Sequence, residues 1–299
     1  LPLGCAIDQV LTAMQIGGEF GYLLLKRFSR NPALLPCAHS VPAGAGEEPS
    51  QLSLCFGEGI WRCLAGRSVL DYGCGEGAEC VKVARHAKLA LGIDIQQRHL
   101  DRARAHAKAS GLEGRCLFLN AVTQADQLLQ HRGRFDFAYS LDAFEHYGDP
   151  EDVLERIYDL LAPGGRLLAS FGPPWKHPFG CHMRHITPLP WIHLLFREEA
   201  IMKVRANFRQ DGARRFEEVR GGLNRMTVAR FRSMVEKSRY RVLDFRTVPL
   251  SSRLAVTRRW DWLTANRRLA EYLTSIVVCI LEKPPEALGS NKVLGGPEF

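Results

Sequence analysis

The chain has 299 residues, 46% hydrophobic and 24% charged, which suits one large α/β domain or two smaller ones and excludes a disordered chain or a coiled coil. Its formal net charge of +8 favours approach of anionic partners. The nine cysteines are odd in number and show neither CxxC nor zinc-finger spacing, so free thiols in a reducing, cytoplasmic setting are expected. No apolar run is long enough to span a bilayer, because Asp8 and Glu19 interrupt the most apolar N-terminal region. No basic region precedes that stretch, so no signal peptide is expected.

Residues 1–35 alternate apolar and polar positions at helical spacing and predict one or two helices capping the main domain. Residues 36–50, rich in proline, glycine and small side chains, predict a mobile loop. From Ser68 short apolar runs alternate with helical stretches. SVLDYG, LALGIDI, CLFLNA, FDFAYSLDA and RLLASFG predict strands; AECVKVARHA, QQRHLDRARAHAKASG and DPEDVLERIYDLLAPGG predict helices, the last stopping at Pro163 and Gly164. Such alternation demands a parallel sheet, because each strand needs a crossover helix before the next can run the same way. Residues 173–222 break the rhythm with PPW, HPFG and TPLPW turns and a charged helix-like run, which predicts a lid over the carboxyl edge of the sheet. MTVARFRSMVEKSRY and LTANRRLAEYL then predict helices, and RVLDFRTVPL and TSIVVCILEKP strands. The expected units are a helical cap and loop over 1–65, a main domain over 66–283, and an unstructured tail over 284–299.

The sharpest chemical signal is Val69-Leu70-Asp71-Tyr72-Gly73-Cys74-Gly75-Glu76-Gly77, an apolar strand entering a glycine turn that opens a helix. Glycine permits a tight turn and a close approach of backbone to ligand. The spacing G-x-G-x-G fits neither the dinucleotide fingerprint nor the P-loop. With its leading acid the segment resembles the D-x-G-x-G-x-G signature of class I S-adenosylmethionine-dependent methyltransferases. That resemblance implies a Rossmann-like, doubly wound, mostly parallel seven-stranded sheet with helices on both faces. It also implies that Asp71, Gly73, Cys74, Gly75 and Gly77 lie against the amino-acid end of the cofactor S-adenosylmethionine, whose product is S-adenosylhomocysteine.

Other elements agree in order. Asp94 stands where the family places the acid that binds both ribose hydroxyls, followed by Ile95. Asn120-Ala121 replaces the usual Asp at the end of the third strand; its amide still offers an acceptor and donors for adenine. Residues 135–146, FDFAYSLDAFEH, resemble the family's fourth strand, with Leu141 at the cofactor, and Leu161-Ala162-Pro163-Gly164-Gly165 resembles its LxPGG turn. Asp142, Glu145 and His146 are similar to a D/E-x-x-E-H arrangement through which some ubiquinone-pathway O-methyltransferases hold a divalent cation. The Glu-His pair is widespread in the family without metal, and no metal is expected.

Methyl transfer from a sulfonium is an in-line displacement, so the protein must position both partners, exclude water and, for a poor nucleophile, remove a proton. His146, just past the fourth strand, is one candidate base. His182 and His185 in WKHPFGCHMRHITPLPWIHLLF are others, within a segment expected to wall an acceptor pocket or to pack a small core of its own. A small-molecule, sugar or lipid-linked acceptor, favoured by the basic lid if anionic, is the leading expectation. Carbon, oxygen and nitrogen acceptors stay open. An RNA or DNA methyltransferase using the basic lid, or a non-catalytic cofactor-binding protein, are the alternatives; no nucleic-acid module or NPPY-like motif supports the first.

Overall fold

The computed structural model describes residues 15–32, 49–219, 221–249 and 266–285. The loop expected over 36–50 falls almost wholly outside the described residues, as does the tail expected beyond 284. In chain order the elements are α1 (Gly18–Arg27), α2 (Gln51–Phe56), α3 (Ile60–Leu64), β1 (Ser68–Tyr72), α4 (Ala78–Ala84), β2 (Leu89–Asp94), α5 (Gln97–Ala109), β3 (Cys116–Asn120), α6 (Ala125–Leu129), β4 (Phe135–Leu141), α7 (Pro150–Leu160) and β5 (Leu161–Phe171). There follow α8 (Ile192–Leu195), α9 (Glu198–Ala206), a 3₁₀ turn (Phe216–Glu218), α10 (Val228–Lys237), β6 (Arg241–Pro249), α11 (Arg267–Leu273) and β7 (Thr274–Glu282).

Local chemistry sets several boundaries. Asp149 caps α7 by accepting the Asp152 N–H at 2.9 Å, and Pro150 fills the first turn, where a missing N–H costs nothing. Thr227 caps α10 in the same way through the Arg230 N–H. Gly111, in the left-handed region, closes α5. The helix expected to run to Pro163 ends earlier, at Leu160, and β5 begins at Leu161. The physical reason is the proline: Ala162 ahead of it is steered to extended backbone, so the apolar pair Leu160-Leu161 divides between helix and strand.

The seven strands form one sheet in the order β3-β2-β1-β4-β5-β7-β6. The pairs β1–β2, β2–β3, β1–β4 and β4–β5 are parallel, whereas β7 runs antiparallel to both β5 and β6. Successive strand residues point to opposite faces, so Leu70, Leu91, Ala138 and Leu167 join α7 and α10 in one core. Val69, Ala90, Tyr139 and Leu168 join α3, α4 and α5 in the other. The expected doubly wound, mostly parallel sheet is therefore present. Among the described residues no helix is long and apolar enough to cross a membrane.

Residues after β5 build a third core from Cys181, Met183, Ile186, Ile192, Phe196, Ile201, Val204, Phe216 and Leu223 together with Tyr22 and Leu25 of α1. The N-terminal helix thus packs on this insertion. Backbone bonds reinforce the pairing, with Ile16 N–H donating to Leu195 O at 2.9 Å, Arg197 N–H to Ile16 O at 2.9 Å and Arg30 N–H to Ile186 O at 2.8 Å. The charged run expected as one helix is divided into α8 and α9 where Phe196 forms an isolated bridge to Ile16.

Candidate active site

Reversal of strand order between β1 and β4 opens a crevice at the carboxyl edge of the sheet, where ligands of open α/β folds bind. The glycine turn after β1 lies there. Gly73 and Cys74 N–H groups both donate to Ile93 O, at 2.8 and 2.9 Å, which bends the chain sharply over β2. Gly73, Gly75 and Gly77 all have positive φ, so side chains at these positions carry backbone strain. Their spatial roles differ. A Cβ on Gly73 would stand 2.8 Å from the Tyr147 hydroxyl, and one on Gly77 would stand 2.7 Å from Ala103 Cβ. At Gly75 it would meet nothing within 4 Å, so this face of the loop is the open one.

Asp94, at the end of β2, faces that loop. Its Oδ2 accepts the Gly75 N–H at 3.0 Å and its Oδ1 the Gln96 N–H at 2.7 Å, which leaves each oxygen a second lone pair. A carboxylate so oriented, beside open backbone, suits a vicinal diol. Ile95 next to it is exposed, an apolar side chain available to a flat ligand. Asn120 is buried and its amide is committed locally: Oδ1 accepts the Val122 and Thr123 N–H groups, each at 3.0 Å, while Nδ2 donates to Ile95 O at 3.2 Å. The Ala121 N–H donates to Asp94 O at 3.1 Å. Asn120 therefore shapes the wall formed by the ends of β2 and β3. Leu141, half-buried, ends β4 on the same edge. Cys74 is held beside Gly92, where a Cβ would approach its Sγ to 2.9 Å.

Asp71 lies buried beneath the turn, and desolvation pushes its carboxyl up to about 8. Glu145 is buried at the neighbouring strand ends and is likewise pushed up to about 8 by burial; its Oε1 accepts the Gly172 N–H at 3.1 Å, and its Oε2 has no partner. Asp142, Glu145 and His146 diverge: Asp142 accepts from Gln51 Nε2 at 3.0 Å, Glu145 turns to Gly172, and His146 Nδ1 lies 2.6 Å from Gly222 O. Among the described residues no three His, Cys, Asp or Glu side chains gather in a metal-binding group.

The bond to Gly222 O, which can only accept, puts the His146 proton on Nδ1 and leaves a lone pair on Nε2. The ring lies edge-on to that of His182, with centroids 5.3 Å apart. His182 has φ +56, a buried Nε2 without a partner, and a pKa depressed by burial to about 4. Thus two of the three candidate bases meet, although 36 positions separate them in sequence. His185 is exposed at the surface. His177 and His193, also neutral through burial at about 4, belong to the interior of the insertion, where His193 Nε2 bonds Trp175 O.

Three residues outside the recognised motifs organise the site. Tyr147 donates from its hydroxyl to Tyr72 O at 2.8 Å and accepts from Ser140, bracing the glycine turn from below. Asn224 donates to Phe144 O and Tyr147 O, at 2.7 and 2.8 Å, and its N–H bonds Glu145 O at 2.9 Å. One side chain therefore clamps the turn that carries His146. Gln51 ties α2 to Asp142. No local spacing marks any of the three, because their partners lie far away in sequence.

Fold and site together define a Rossmann-like sheet whose carboxyl edge carries a glycine turn facing the Asp94 carboxylate, with the His146–His182 pair formed just after β4. The model of the methyltransferase-domain family matches residues 69–165. The chain is similar to the ubiquinone biosynthesis O-methyltransferase of Psychrobacter cryohalolentis, 35% identical over 107 residues, covering 36% of this chain and 41% of that one. The Cronobacter sakazakii protein of the same name is 36% identical over 109 residues, covering 36% and 43%. The chain thus spans about two fifths of the length of the curated relatives it matches. A solved S-adenosylmethionine dependent methyltransferase from Mesorhizobium loti shares 20% identity over 75% of this chain and 95% of that one, with a TM-score of 0.46.

Proposed function

We propose that this chain transfers the methyl group of S-adenosylmethionine to a hydroxyl oxygen of a small, sugar or lipid-linked acceptor. The carrying observation is the junction of two features at one sheet edge: an open backbone cradle at Gly75 facing the Asp94 carboxylate, and an imidazole, His146, with its Nε2 lone pair free of the Gly222 bond. Bound at that cradle, the cofactor supplies an electrophilic methyl on a sulfonium. Asp94 would hold the ribose hydroxyls, Ile95 and the Asn120-Ala121 turn would flank the adenine, and Asp71 would lie near the amino-acid end. His146 Nε2 would take the proton of the acceptor hydroxyl, while the cofactor would supply the methyl group, its carbon–sulfur bond breaking to leave the electron pair on a neutral thioether. His182, kept neutral by burial, shapes the pocket beside it. Relatives named O-methyltransferases support the choice of oxygen. Within the basic lid Arg205 pairs with Asp211 and Lys203 with Glu19.

Calorimetry with S-adenosylmethionine tests the cradle. Gly75→Val should abolish binding, and Asp94→Ala should weaken it by about 1–3 kcal/mol, the scale for hydrogen bonds to a charged group. Unchanged affinity in folded variants would refute the placement. Release of S-adenosylhomocysteine in the presence of phenolic and sugar hydroxyl acceptors tests the chemistry. His146→Gln should lower turnover about 10²- to 10⁴-fold at unchanged cofactor affinity; full turnover would remove His146 as the base.

A further inference from the structure

The outer side of the insertion carries an apolar surface that neither the sheet nor the site uses. On α1, at about 100° per residue, Gly21, Tyr22 and Leu25 share the face buried on the third core. Phe20 and Leu23 occupy the opposite, solvent face, with Arg27 between them; Leu24, at its edge, is partly buried against the third core, and Phe28 follows the last turn. Phe20 is 70% exposed, Leu23 56% and Phe28 48%. Amphipathic helices of soluble domains place polar residues on that side. Scattered apolar side chains on a surface need no explanation, but Phe20, Leu23 and Phe28 lie exposed within nine consecutive positions and form a patch. Near the N-terminal end, where Ile16 bonds the Leu195 carbonyl, Leu195 is 54% exposed as well.

Charge identifies the occupant. Lys26, Arg27 and Arg30 are exposed at the end of the helix, Lys26 with its ammonium over the Tyr22 ring. Of the nearby acids, Glu19 pairs with Lys203 and Glu199 accepts the Gly18 N–H. An apolar helical face edged with cations, on a chain of net charge +8, complements an anionic lipid surface: the rings enter the headgroup boundary and the cations meet lipid phosphates.

We propose that the outer face of α1 docks this protein on anionic bilayers, with Phe20 and Leu23 inserted and Lys26, Arg27 and Arg30 at the headgroups. The proposal stands independently of the methyl-transfer chemistry, since it uses none of the site residues. Its test is flotation of the full chain with vesicles of phosphatidylcholine alone or with about 30 mol% phosphatidylglycerol. Wild type should float with the anionic vesicles and not with the neutral ones, and added salt should weaken the association. Phe20→Ser/Leu23→Ser and Arg27→Glu/Arg30→Glu should each reduce the floated fraction at least about tenfold, with circular dichroism and S-adenosylmethionine affinity unchanged. Wild type that stays out of the anionic vesicles overturns the proposal, as does equal flotation with neutral ones. So does a wild-type dimer in light scattering that Phe20→Ser/Leu23→Ser converts to monomer, because a second copy would then cover the face.

Discussion

Asp71 sits at the end of an apolar strand, buried under the glycine turn, and carries a carboxyl pushed up to about 8 by loss of solvent. At neutral pH it is mostly protonated. A cationic ligand placed beside it favours the carboxylate, so binding below pH 8 should release a proton. The sign follows: affinity for S-adenosylmethionine should rise with pH, by up to about tenfold per pH unit, and level off above about pH 8. Calorimetry in buffers of different ionisation enthalpy reads both the slope and the proton released. If Asp71→Asn kept the same slope, another group would be responsible.

At the scale of elements, the insertion is a histidine-filled layer tied to α1 on one side and to the turn after β4 on the other. His177, His182 and His193 are all held near 4 by burial, against an ordinary value of about 6.5. An opened insertion releases them to that ordinary value, so the open form binds more protons between about pH 6.5 and pH 4. Closure is therefore fully favourable above about pH 6.5 and is lost as pH falls, by at most about 1.4 kcal/mol per pH unit for each histidine. Hydrogen exchange over residues 175–196 should accelerate from pH 7 to pH 5, after correction for the intrinsic rate, while β1 and β4 stay protected. Equal protection of the insertion at both values would show that these rings are already solvated. Opening would also withdraw Gly222 O from His146, which couples the closed insertion to the orientation of that ring.

At the scale of the whole molecule, two cores line the sheet and a third joins its insertion to the N-terminal helix. Leu25 is fully buried in the third, and Leu25→Ala should cost about 2–5 kcal/mol there. The loss should appear as lowered exchange protection in α1 and α9 ahead of the sheet, and uniform loss of protection would mean that the three cores unfold as one. This division separates what the sequence alone could disclose from what it could not. The glycine turn, Asp94 and the alternating strands were legible because each is a short run whose meaning lies in neighbouring residues: this tight turn needs closely spaced glycines, and a doubly buried strand needs consecutive apolar side chains. The meeting of His146 with His182, the clamp by Asn224 and the brace by Tyr147 were not legible. Nor was the seating of α1 on the insertion. Each of these depends on where the chain returns after long excursions, and the side chains involved satisfy their hydrogen bonds with whichever backbone the packed cores bring near. Local pattern determined the sheet and the glycine turn at its carboxyl edge; only tertiary packing decided which imidazoles meet after β4.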